Sequence, residues 1–137
     1  MTSRVDHVGV VVRSIENASG FLQDVLGLAL TDRPPATPDG VQVAYFGRDG
    51  ARVELIEVAD DAAREARLGA AQARIEHVAI EVDDVRSMSD RLRSKGVEFT
   101  TDGPVPVRDT LAIWTVPETS GGIAWQLFSR VLSPGRP

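Results

Sequence analysis

The sequence predicts an α+β fold made of two tandem βαβββ modules. Three observations carry that expectation. A shift of 70 places lays Arg4 on Arg74, His7 on His77, Val8 on Val78, Val12 on Val82, Ile15 on Val85 and Leu22 on Leu92. The stretches "RVDHVGVVV" and "RIEHVAIEV" alternate apolar residues with the period of a strand, through Val8, Val10 and Val12 and through Val78, Ile80 and Val82. Each is followed by a stretch with helical apolar spacing and then by further strand-like runs. The modules are expected at residues 1–58 and 72–130, with a linker helix over 59–71 and a frayed tail over 131–137. Together they should form one curved mixed sheet with the helices outside.

The elements follow in order. After the first strand, Ser14 is an N-cap, and Ile15, Ala18, Phe21, Leu22 and Val25 recur at helical spacing up to a stop at Gly27. A short extended piece is expected near Ala29–Thr31. The runs "VQVAYFG" and "ARVELIEV" are joined by Arg48, Asp49 and Gly50, a hairpin signal. "ADDAAREARLGAAQA" reads as the linker helix. The second module repeats the scheme: a helix from Asp84 to Gly96 with Val85, Met88 and Leu92 as its stripe, an extended piece near Val97–Thr100, then "TLAIWTV" and "GGIAWQLFS".

Bulk composition narrows the function classes. The chain has 137 residues, 42% apolar and 26% charged, which is the make-up of one globular domain. The formal charge of −5 argues against nucleic-acid binding, which needs clustered cations. There is no cysteine, so disulfides, zinc thiolates and thiol nucleophiles are excluded. No segment approaches the roughly 20 apolar residues of a membrane span. The first strand begins close to Met1, leaving no room for a signal peptide, and a cytoplasmic location is expected.

The chemistry lies on the strand faces turned away from the helices. Val8, Val10 and Val12 claim the helix side, so His7 and Gly9 face the other way; His77 and Ala79 do the same. These are the only two histidines in the chain. On the last strand of each module, Val53 and Leu55 set Glu54 opposite, and Ile123, Trp125 and Leu127 set Ala124, Gln126 and Phe128 opposite. If a pseudo-twofold relates the modules, His7, Glu54, His77 and Gln126 converge. Nitrogen and oxygen donors of this kind suit Zn, Ni, Co, Fe, Mn or Mg, with positions left for water and substrate.

Residues along "DHVGVVVRSIENASGFLQDVLGL", "ARVELIEV", "EHVAIEVDDVRSMSDRLRSKGVEF" and "GGIAWQLF" give the chain a specific resemblance. It resembles the vicinal oxygen chelate superfamily over nearly its whole length. That family includes glyoxalase I, methylmalonyl-CoA epimerase, extradiol dioxygenases and antibiotic-resistance binding proteins, and the pattern is nearest the epimerase branch. The resemblance implies the glyoxalase/bleomycin-resistance/dioxygenase fold. It also implies a divalent metal held by His7, Glu54, His77 and Gln126, a small-molecule substrate and a homodimer.

Two departures shape the functional expectation. The family's last-strand ligand is usually a glutamate that can act as base; here it is Gln126, which has no useful proton affinity. Asp39 lies one place away from the position matching the epimerase's other glutamate. The expected activity is therefore an isomerase, epimerase or lyase reaction on a bidentate oxygen substrate other than methylmalonyl-CoA, with the metal as Lewis acid. Glu54, Asp39, Asp109 or a metal hydroxide would be the base, with Gln126 completing the catalytic set. Tyr45, Arg52, Trp114 and Phe128 are candidate substrate contacts. Two alternatives stay open: a non-haem Fe(II) oxygenase using His7, His77 and Glu54, and a metal-free drug-binding protein.

Overall fold

The computed structural model describes residues 3–130. The expected tail lies outside the described residues. In chain order the elements are β1 (Ser3–Val12), α1 (Ile15–Gly20) running into a π-helical turn (Phe21–Val25), β2 (Leu30–Asp32), β3 (Val41–Phe46) and β4 (Arg52–Val58). Then come α2 (Asp61–Leu68), β5 (Ala73–Val82), α3 (Val85–Arg93), β6 (Val105–Val107), β7 (Thr110–Trp114), a 3₁₀ turn (Pro117–Thr119) and β8 (Ala124–Arg130). This is βαβββ twice, as the repeat predicts. The strand order is β2-β3-β4-β1-β5-β8-β7-β6. Among the described residues no helix is long and apolar enough to cross a membrane.

The chain folds as two compact units, residues 7–76 and residues 3–6 with 77–130. In the first, β1 pairs in parallel with β4, β4 is antiparallel to β3, and β3 is antiparallel to β2. A parallel pair needs a long crossover, and α1 with the β2–β3 excursion provides it. Ser14 caps α1 by accepting the Asn17 N–H at 3.1 Å. Val12, Ile15, Ala44, Phe46 and Leu55 form the core beneath α1, with Val10, Val53 and Leu22 packed on it. Val11, Ile56 and Val58 bury the opposite face beneath Leu68 of α2. Asp60 caps α2. The Arg13 guanidinium secures the far end of α2, donating to the Glu65 carboxylate and the Gly69 and Ala71 carbonyls.

In the second unit β5 pairs in parallel with β8, and β7 lies between β8 and β6. Asp84 caps α3. Val82, Val85, Ile113 and Leu127 make the core, with Met88 and Leu92 from α3 packed on it, as the apolar stripe predicts.

Three local expectations need correction. The α1 stripe does not continue: Phe21 is 56% and Val25 is 67% exposed. Beyond Gly20 the helix widens, with the Leu26 N–H donating to the Phe21 carbonyl five residues back. A wider turn carries residues spaced for 3.6 per turn off the core face. In the second module, Val97–Thr100 forms no strand; Phe99 makes a single bridge to Thr115 and turns its ring into the core. The edge strand is β6, with Pro106 turned outward, a position an edge strand tolerates. Ile123, expected on the helix side, precedes β8 and is exposed.

Candidate functional site

Register builds the site in the unit of residues 7–76. His7 lies opposite Arg52, and Gly9 lies opposite Glu54. Across the next ladder Glu54 lies opposite Tyr45. Opposed residues share a sheet face, so His7, Arg52, Glu54 and Tyr45 meet on the face away from α1. Gly9 adds no side chain to that row. Three of these residues are nearly sealed from solvent, His7 at 6%, Glu54 at 7% and Tyr45 at 8% exposure.

The contacts are specific. Glu54 Oε1 stands 3.3 Å from His7 Nε2. Glu54 Oε2 accepts the Tyr45 hydroxyl at 2.9 Å. The Tyr45 ring meets the His7 ring edge-on, with centroids 5.5 Å apart. The Arg52 guanidinium lies over the Tyr45 ring, 4.3 Å from its centroid. The Tyr45–Glu54 hydrogen bond was not apparent in the sequence; a two-residue turn at Asp49–Gly50, which matches the observed pairing of Phe46 with Val53, could have revealed it. Nearby, Arg67 is held above its ordinary pKa by its hydrogen bonds to Glu76, with the charges of Glu54 and Asp39 acting in the same direction. Asp39 stands on an exposed turn before β3 and accepts the Thr37 hydroxyl at 2.5 Å.

The second unit repeats the rows with different chemistry. His77, buried, lies opposite Ala124, and Ala79 lies opposite Gln126. Gln126 in turn lies opposite Trp114. Phe128 is buried against Ala79 and Ala112, with Trp114 packed on that cluster. Glu81 is held by Arg4 at 2.5 Å and Arg130 at 3.5 Å. Asp109 lies 3.7 Å from Arg130 on the surface.

The donor set fits a metal ion. A charge-assisted N–H···O hydrogen bond is about 2.7–2.9 Å long, shorter than the His7–Glu54 separation of 3.3 Å. With metal–ligand bonds of about 2.1 Å, two ligand atoms stand about 3.0 Å apart at a right angle and about 3.4 Å apart at the tetrahedral angle. The observed spacing matches two corners of a coordination shell. An imidazole nitrogen and a carboxyl oxygen, both buried here, are common partners for Zn, Ni, Co, Fe or Mn.

Paired βαβββ modules with a buried histidine on the first strand of each define a class, and residues 4–127 match the model of the Glyoxalase/Bleomycin resistance protein/Dioxygenase superfamily. The chain belongs to that family, the vicinal oxygen chelate superfamily that its residues resemble. It is 30% identical over 100 residues to the uncharacterised protein YwbC of Bacillus subtilis (strain 168), covering 72% of this chain and 76% of the relative. It is 28% identical over 127 residues to the mitochondrial methylmalonyl-CoA epimerase of Mus musculus, covering 90% and 71%. The crystal structure of methylmalonyl-CoA epimerase from Mycobacterium tuberculosis superposes with a TM-score of 0.81 at 24% identity, covering 94% of this chain and 89% of that one.

Proposed function

We propose that this chain is a metal-dependent isomerase, epimerase or lyase, a cytoplasmic homodimer in which His7, Glu54, His77 and Gln126 hold one divalent cation. The observation that carries the reading is the 3.3 Å spacing of His7 Nε2 and Glu54 Oε1. His7, Glu54 and His77 each offer one buried ligand atom. The cation, when bound, supplies Lewis-acid polarisation to a substrate that presents two oxygens. Likeness to a mouse protein named methylmalonyl-CoA epimerase supports an acyl or carbonyl substrate.

The remaining roles fall to this chain's own groups. The Gln126 amide cannot take up a proton at neutral pH, so the proton falls to another group. Glu54 Oε2 is engaged by Tyr45. Asp39, exposed and acting with Glu54 on the same arginine, is the proposed base. Arg52 meets an anionic part of the substrate, and Trp114, packed on the Phe128 cluster, supplies an apolar wall. Loss of the family's usual last-strand glutamate sets the substrate apart from methylmalonyl-CoA.

Elemental analysis of protein purified without chelator or added metal tests the reading. The expected result is about one equivalent of Zn, Ni, Co or Mn, lost in the His7→Ala/His77→Ala double variant. Iron together with oxygen uptake would assign the oxygenase chemistry of a two-histidine, one-carboxylate set. Equal metal content in the double variant would refute the site.

A further inference from the structure

We infer that Tyr45 is a positioning residue that holds Glu54 as a one-oxygen metal ligand; this rests on the metal site proposed above. A carboxylate has two oxygens and can turn either, or both, toward a cation. Here Oε2 accepts the Tyr45 hydroxyl at 2.9 Å, while Oε1 is the oxygen 3.3 Å from His7 Nε2. The hydroxyl thus selects which oxygen faces the histidine. The same ring braces the second ligand, meeting the His7 imidazole edge-on at an interplanar angle of 83°. Arg52 lies against the ring at 4.3 Å, so tyrosine, carboxylate and imidazole are held as one packed set. Ligand orientation by such an outer hydrogen bond is a general feature of metal sites.

The repeat supplies an internal comparison. Tyr45 lies opposite Glu54 and Trp114 lies opposite Gln126. Arg52 lies opposite His7, where the second unit has Ala124 opposite His77. The hydroxyl donor and the stacked cation therefore accompany the carboxyl ligand Glu54, and the row of the Gln126 amide has neither. The Tyr45 hydroxyl is directed at Glu54, which makes this residue a support for the ligand rather than a wall for substrate.

The test is Co(II) affinity, measured by competition with a chromophoric chelator on the full chain. Tyr45→Phe keeps the ring against His7 and removes only the hydroxyl. It is expected to weaken cobalt binding 10- to 100-fold, in the range of about 10–100-fold seen for outer-shell partners, and to shift the visible Co(II) absorption bands. In a Glu54→Ala background, at millimolar cobalt, the same change should alter affinity less than about twofold, because the coupling runs through Glu54. Tyr45→Leu, with the same expected direction, is the second variant if Tyr45→Phe does not fold. Unchanged affinity with unchanged bands, or an equal loss in the Glu54→Ala background, overturns the inference while leaving the metal site standing. Wild-type protein that takes up no cobalt overturns the metal reading and this inference with it.

Discussion

Replacing Glu54 with alanine should separate metal binding from fold stability. A ligand that binds only the folded state adds about 2.7 kcal/mol at a hundred times its dissociation constant. For 137 residues, an unfolding entropy of about 2.1 cal/mol/K per residue gives about 0.29 kcal/mol/K, so each kcal/mol moves the melting temperature about 3.5 °C. Wild type should therefore melt about 9 °C higher with metal than with chelator. If losing the carboxylate weakens the metal a hundredfold, the same concentration adds only about 0.4 kcal/mol, or about 1.5 °C. Because the Tyr45 hydroxyl loses its buried acceptor, the chelated variant should start about 1–3 kcal/mol lower than chelated wild type. Each protein serves as its own reference, so this baseline loss does not affect the comparison. Differential scanning calorimetry with and without chelator reads both numbers. A Glu54→Ala variant whose metal-induced shift equals that of wild type would show that the carboxylate does not hold the ion.

Other outcomes follow from single contacts. Ile113 is fully buried between Val82, Val85 and Leu127, so Ile113→Ala should cost about 2–5 kcal/mol in urea unfolding; a loss below about 1 kcal/mol would mean that the cluster relaxes around the gap. Glu65 has its pKa lowered, first by its hydrogen bond from Arg13 and then by that residue's charge. A depressed folded value stabilises above the ordinary glutamate pKa of 4.5 and is lost as pH falls through the folded value. The stability difference between wild type and Glu65→Gln should thus be constant at neutral pH and shrink under acid; a difference unchanged down to the acid limb would refute the pairing. Deuterium exchange at the α-carbon of methylmalonyl-CoA should be slow with wild type and faster with Gln126→Glu, whereas fast exchange by wild type would show that Asp39 or another group already serves as base.

Strand faces were legible in the sequence because a period of two leaves each residue only two directions. That is why His7 goes with Glu54, and His77 with Gln126, on the face turned away from the helix of its own unit, without any knowledge of the register. The helix beyond Gly20 was less legible, since a π turn depends on which carbonyl Leu26 finds, and a stripe spaced for 3.6 residues per turn cannot reveal that. Around Gly103, Pro104 and Pro106 the sequence looks like loop. β6 exists because β7 offers it an open edge, which is a tertiary cause. The pairing of Tyr45 with Glu54 lies between these cases. Both residues are visible as strand positions, but their meeting depends on the β3–β4 hairpin register, which alternation alone does not give.

The parallel pairing of β1 with β4 also orders events in time. Closing the β3–β4 hairpin from Phe46 to Val53 spans 7 residues, whereas joining His7 to Arg52 spans 45. Loop-closure entropy grows as about (3/2)RT ln n, about 1.7 kcal/mol for the first and about 3.4 kcal/mol for the second, apart from a shared constant. The hairpin can therefore form early, bringing Tyr45 and Glu54 together while β1 is still undocked. His7 joins only when the crossover closes over α1. The carboxylate is thus oriented before the imidazole arrives, so the His7–Glu54 pair is completed late in refolding and marks completion of the module rather than guiding its assembly.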